Sequence, residues 1–124
     1  MTLGELEKRV MDIFWSAQSN ASLSVRDVLD SINRESSDAY AYNTILTVIT
    51  HLFEKKMLKR QPAGKAFTYT AACSKTDFVA RTSSNLFSQM EKEYGALAVA
   101  HFVRYMENVD PKILEEARRL IEKE

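Results

Sequence analysis

Thr2 before Glu5, Ser24 before Asp27 and Ser74 before Asp77 each place a hydroxyl three positions ahead of a carboxylate at the edge of an apolar-periodic segment. At that spacing the hydroxyl and the carboxylate satisfy free backbone N–H groups, so the pairs fix where helices can begin. Leu23 and Val28 flank Ser24 at the positions of a hydrophobic staple, as Cys73 and Phe78 flank Ser74. Asp110–Pro111 gives a further start, a cap followed by proline at the first helical position. Apolar residues at helical spacing then predict helices over 3–17, 25–35, 42–56, 75–93, 96–108 and 111–123. Leu58 to Gln61 and Phe67 to Ala71 read as two strands around the turn Pro62-Ala63-Gly64-Lys65.

Three helices followed by a hairpin is the element order of a winged helix-turn-helix, whose third helix enters a DNA major groove while the hairpin touches flanking backbone. The expected fold is mainly α with a small β-hairpin wing: a winged helix-turn-helix domain over 1–73 and a C-terminal helical domain over 74–124. At 124 residues and 45% apolar, the chain can bury a sizeable core without a metal or disulfide. The single cysteine, Cys73, has no partner within the chain, which fits a reducing cytoplasm, and no apolar run is long enough to predict membrane insertion. An enzyme is not expected, nor a cofactor. There is no Gly-rich phosphate loop, no nucleophile beside a base, and His51, His101 and Cys73 are too few and too scattered for a metal site.

The third predicted helix contains YNTILTVITHL, with threonine at 44, 47 and 50. Each threonine costs roughly 0.6 kcal/mol against alanine in a helix interior, roughly 2 kcal/mol together. At 100° per residue Ile45, Val48, Ile49, Leu52 and Phe53 fall on one side, and Asn43, Thr47, Thr50, His51 and Glu54 on the other. A merely solvated face is normally built from Glu, Lys, Arg and Gln. Short hydroxyl and amide groups instead allow close approach: threonine can bond base edges or phosphates, and asparagine can pair with adenine. A β-branched helix with no partner is the competing reading.

Net charge is zero, but its distribution is uneven. Residues 39–72 carry Lys55, Lys56, Lys59, Arg60 and Lys65 against Glu54 alone, while 1–38 carry four Lys/Arg against seven Asp/Glu. Local charge steers association, so a polyanion partner is compatible with a neutral chain. Lys55, Lys59, Arg60 and Lys65 lie on the helix tail and hairpin, with Lys65 beside Gly64 at the predicted wing tip. Such a run can also be plain solvated surface.

The chain resembles the penicillinase and methicillin-resistance repressors through LGELEKRVMDIFW, SVRDVLDSI, AYNTILTVITHLFEKKMLKR, GKAFTYTA and AVAHFVRYMEN. The resemblance covers nearly the whole length. It implies a dimeric winged-helix repressor that binds a palindromic operator, with Tyr42, Asn43, Thr44, Thr47 and His51 facing DNA and Lys65 on the wing. It also implies derepression by a membrane sensor protease cutting the dimerisation region. Where the better-known members carry an Asn–Phe cleavage bond, this chain has His101–Phe102. It further departs with His51 for a frequent arginine, Glu54 for lysine and Lys56 for glycine. The last predicts backbone strain or a longer helix. The cysteine-rich tail of the copper-responsive relatives is missing, since no cysteine follows Cys73.

The predicted helices after residue 74 carry more apolar residues than three helices can bury against each other. Phe78, Leu86, Met90, Leu97, Phe102, Val103, Met106, Leu114, Leu120 and Ile121 are the expected dimer-forming set, since a twofold dimer is the commonest solution. Trp15 and the tyrosines read as core or interface residues. A winged-helix protein–protein module without DNA binding is the alternative, favoured by zero net charge and Glu54.

Overall fold

Ser24 caps its helix as the spacing requires. Its hydroxyl accepts from the Asp27 N–H at 3.0 Å and its own N–H donates to Asp27 Oδ2 at 2.9 Å. Ser74 accepts from the Asp77 N–H at 3.1 Å, and Asp110 from the Lys112 N–H at 2.9 Å. The computed structural model describes residues 3–17, 21–37 and 39–123. Thr2 lies outside them. The first helix begins after Gly4, whose N–H donates to Glu7 Oε1 at 3.1 Å, so the carboxylate half of a capping box operates with glycine at the cap.

The elements are α1 (Glu5–Ser16), β1 (Leu23–Ser24), α2 (Val25–Glu35), α3 (Tyr42–Glu54), β2 (Leu58–Ala63), β3 (Ala66–Ala71), α4 (Lys75–Tyr94), α5 (Ala96–Glu107) and α6 (Pro111–Glu122). The architecture is mainly helical with a small antiparallel sheet, in the order β1-β3-β2. The hairpin is longer than its sequence pattern predicts: the register runs from Leu58↔Ala71 to Ala63↔Ala66 and leaves a two-residue turn. Gly64 takes φ +64 there, which glycine adopts without steric cost. Pro62 stands inside β2, and an edge strand tolerates its missing N–H. The short β1, unforeseen because two residues show no alternation, pairs Leu23 with Tyr69 and ties the start of α2 to the wing.

The chain divides into two compact units, one through Thr82 and one from Ser83. The core of the first joins Val10, Met11 and Phe14 of α1, Val28, Leu29 and Ile32 of α2, Ile45, Ile49 and Leu52 of α3, and Met57, Leu58 and Tyr69 of the wing region. The first turns of α4 belong to this unit. Phe78 stacks on Trp15 with ring centroids 5.4 Å apart, Trp15 Nε1 donates to the Cys73 carbonyl at 3.0 Å, and Lys75 pairs with Asp12 at 3.4 Å.

α3 ends at the position expected to be awkward. The Lys56 N–H donates to the Phe53 carbonyl at 3.0 Å and the Met57 N–H to the Leu52 carbonyl at 2.9 Å. These are the two bonds of a Schellman cap, with Met57 and Leu52 both buried as its hydrophobic contact. The cap requires a left-handed residue, and Lys56 supplies it at φ +65. The departure from glycine therefore appears as strain and not as a longer helix. Lys56→Gly is expected to stabilise the protein by about 0.5–1 kcal/mol, read as a raised denaturation midpoint in urea, because αL costs a β-carbon-bearing residue about 1–2 kcal/mol and glycine returns part of that as chain entropy. An unchanged midpoint would show that the cap stores no strain.

Candidate nucleic-acid interface

The inward stripe of α3 seats it: Ile45, Ile49 and Leu52 are fully buried, with Leu46, Val48 and Phe53 half-buried beside them. The opposite face is open. Tyr42, Asn43, Thr44, Thr47, His51 and Glu54 are exposed and Thr50 is half-buried. Thr47 donates its hydroxyl proton to the Asn43 carbonyl at 2.9 Å. In that geometry its methyl and oxygen lone pairs remain for an incoming partner, so it presents an acceptor and an apolar surface.

The approach to α3 is anchored by polar contacts. The Tyr40 N–H donates to Asn33 Oδ1 at 2.8 Å, Asn33 Nδ2 donates to the Tyr40 carbonyl at 3.2 Å, and Arg9 donates to the Tyr40 hydroxyl at 2.9 Å. These bonds fix the loop against α1 and α2 and thereby the entry angle of α3. Ala41, the residue before the helix, offers no side-chain cap, so the first N–H groups of α3 are not consumed by one.

The predicted cations meet different surroundings. Lys65 is exposed in the two-residue turn of the wing, and Lys59 is exposed on β2. Arg60 is held between two rings, its guanidinium carbon 4.1 Å from the Phe53 centroid and 4.2 Å from that of Phe67. Lys55 is already engaged: its ammonium donates to Glu7 Oε1 at 2.9 Å and Oε2 at 2.8 Å. Arg26, which the sequence reading did not single out, stacks on Tyr42 at 5.2 Å. Its signal was its place in the first turn of α2, which carries no weight until that helix start is known to lie beside α3.

The Lys55 hydrogen bonds hold the Glu7 carboxyl below its ordinary value of 4.5, with help from the Gly4 N–H and against some desolvation. A lowered carboxylate pKa stabilises the fold above the unfolded-state value, and that contribution disappears as pH falls through the lowered one. Glu7→Gln is therefore expected to melt below the parent at pH 7. The two melting curves should converge as the solution is acidified past 4.5. A gap that persisted in acid would mean the carboxylate charge is not what joins α1 to the end of α3.

In the second unit Leu86, Leu97, Val103, Met106, Leu120 and Ile121 are exposed, while Met90, Phe102 and Leu114 are half-buried. Phe102 stacks on Phe87 at 5.1 Å, and His101 lies exposed beside it within α5. Phe78 differs from the rest of the expected dimer set in packing on Trp15 inside the first unit. Among the described residues, no helix is long and apolar enough to cross a membrane.

Known proteins share this fold. A solved DNA-binding domain of the repressor BlaI superposes with a TM-score of 0.51 at 24% identity, over 61% of this chain and 87% of that one. The methicillin resistance regulatory protein MecI of Staphylococcus aureus (strain N315) is 26% identical over 121 residues, 98% of this chain and 94% of its own length. MecI of Mammaliicoccus sciuri matches to the same extent. The penicillinase repressor family model matches residues 3–123, and the chain belongs to that family of transcriptional repressors.

Proposed function

We propose that this chain is a sequence-specific DNA-binding repressor that engages a palindromic operator as a homodimer, in the cytoplasm. The observation that carries the reading is the two-sided character of α3: three aliphatic side chains fully buried on one face, and Asn43, Thr44 and Thr47 in the open on the other. Asn43 and Thr47 read base edges, Tyr42, Thr44, Thr50 and His51 border them, and Lys65, Arg60 and Lys59 meet phosphates. Lys55 reaches a phosphate only by giving up Glu7. Exposed apolar side chains on α4, α5 and α6 supply the dimer face. The resistance-regulator relatives support β-lactam-resistance-type target genes, with a membrane sensor protease acting near His101–Phe102 as the corresponding route to release.

The test is a gel-shift titration against fragments of the promoter upstream of this gene, comparing the parent with Thr47→Ala plus Lys65→Ala. Losing one base-edge contact and one phosphate contact should weaken retention by about tenfold or more in each half-site. The threonine change alone should raise thermal stability slightly, by about 0.5 kcal/mol of helix propensity. Stability up and binding down identifies a face kept for a partner. Zero net charge and the exposed Glu54 favour a protein–protein module as the second reading. Retention unchanged by the double substitution would move the assignment there.

A further inference from the structure

Of the three arginines that lie over aromatic rings, Arg9 bonds the Tyr40 hydroxyl, while Arg26 and Arg60 lie along one flank of α3. Tyr42, Leu46 and Phe53 follow helical spacing down the side of α3 that borders the wing, and Arg26, Tyr42, Leu46 and Phe67 line one cleft there. Arg26 sits over Tyr42 near the helix start, and Arg60 fills the gap between Phe53 and Phe67 near its end. Both arginines are nonetheless exposed. Among the described residues, neither takes a carboxylate or hydrogen-bond partner.

Stacking holds a guanidinium by its faces, whereas its N–H donors radiate in its plane. With the Phe53 and Phe67 ring centroids 4.1 and 4.2 Å from its guanidinium carbon, Arg60 is confined, and among the described residues its N–H donors have no hydrogen-bond partner. An arginine ordered in this way has already lost the side-chain freedom that binding would otherwise cost, and its fork suits the oxygens of a phosphodiester. A helix seated in a major groove has one sugar-phosphate strand on each side, and the strand on the wing side passes between helix and hairpin. On the opposite flank the Lys55 charge is spent on Glu7, so the available positive charge is concentrated on the wing side.

We propose that Arg26 and Arg60 form a pre-set two-point clamp on the phosphodiester strand between α3 and the wing, held in shape by Tyr42, Phe53 and Phe67. This inference rests on the DNA-binding reading above and adds which strand is gripped and why arginine is required.

The experiment measures fluorescence anisotropy of a short random-sequence duplex at several salt concentrations. The proteins compared are the parent, Arg26→Lys, Arg60→Lys, Arg26→Ala, Arg60→Ala and Phe67→Leu, with thermal melts confirming the fold of each. The lysine variants keep the charge but lose the fork, so affinity should fall about tenfold with the salt slope unchanged. Phe67→Leu should lower affinity in the same way, because both arginines remain while one ring face is gone. Each alanine variant should flatten the log–log salt slope by about 0.9 per binding site. Lysine variants that bind like the parent, or alanine variants with an unaltered slope, would overturn the clamp while leaving the repressor reading standing. A parent that bound no duplex at all would overturn both. Should Arg60→Ala melt early, Arg26→Ala and the lysine pair still decide.

Discussion

Leu97→Glu combined with Leu120→Glu is expected to leave the protein monomeric, sedimenting near 14.2 kDa, and to lower affinity for a two-half-site duplex by about 10²–10³-fold. Both leucines are more than half exposed in the single chain, at 64% and 62%. Ala98 is the one buried hydrophobic among the described residues from Ser83 on. Leucine, valine and isoleucine side chains stand exposed on α4, α5 and α6, and a second copy of the same helices is the cover proposed here. Charges placed on it should cost a monomer little, since exposed substitutions are usually within about 0.5 kcal/mol, yet they would be buried unpaired in a dimer. The affinity loss follows from linkage: two reading heads joined by a stable interface bind the second half-site at high effective concentration. In the dimer, with roughly 6–8 phosphates engaged, the log–log salt slope should lie near −5 to −7, and it should roughly halve in the monomer. A double variant that still sedimented as a dimer would remove this face from the assembly.

Much of the fold was legible because its signals are local. The Ser24–Asp27 and Ser74–Asp77 pairs and Asp110–Pro111 each act within one helical turn, and each marks a helix start in the structure. β1 was not legible. It is two residues long and exists because β3 lies alongside it, a contact made across the chain. The hairpin's length was also underestimated. Proline and alanine at 62 and 63 carry turn or weak strand propensity, yet their pairing with β3 overrides it. Lys56 was partly legible: glycine's usual place at the helix end predicted a problem there, and packing of Met57 against the core settled which form it took.

The candidate interface divides along the same line. The open face of α3 followed from periodicity, since burying Ile45, Ile49 and Leu52 leaves Asn43 and Thr47 with one direction to point. The cations did not follow, because charge in a sequence says nothing about what already satisfies it. Lys55 and Arg60 read alike as basic residues near a helix end, but one is bound to a carboxylate 48 positions away and the other lies between two phenyl rings. Arg26 was invisible for the same reason, since its ring partner lies on another helix.

Ile49→Ala is expected to remove about 2–5 kcal/mol of stability, a large part of the roughly 5–15 kcal/mol available to a small domain. Ile49 has no exposed surface, and it sits in the cluster where α3 meets α1 and α2. Deleting three of its carbons leaves a void that the helix cannot close without shifting its axis, which would also displace Asn43 and Thr47 from the positions they hold above the core. The melting temperature should fall by roughly 10 °C or more. Duplex binding should persist in the cold and be lost well below the parent's own melting point. Thr50→Ala, one residue away and half-buried, is the matched control and should shift the midpoint by about 1 kcal/mol or less in either direction. An Ile49→Ala protein that melted with the parent would mean that the inward stripe does not seat α3, and the outward face would then have no rigid support from which to read DNA.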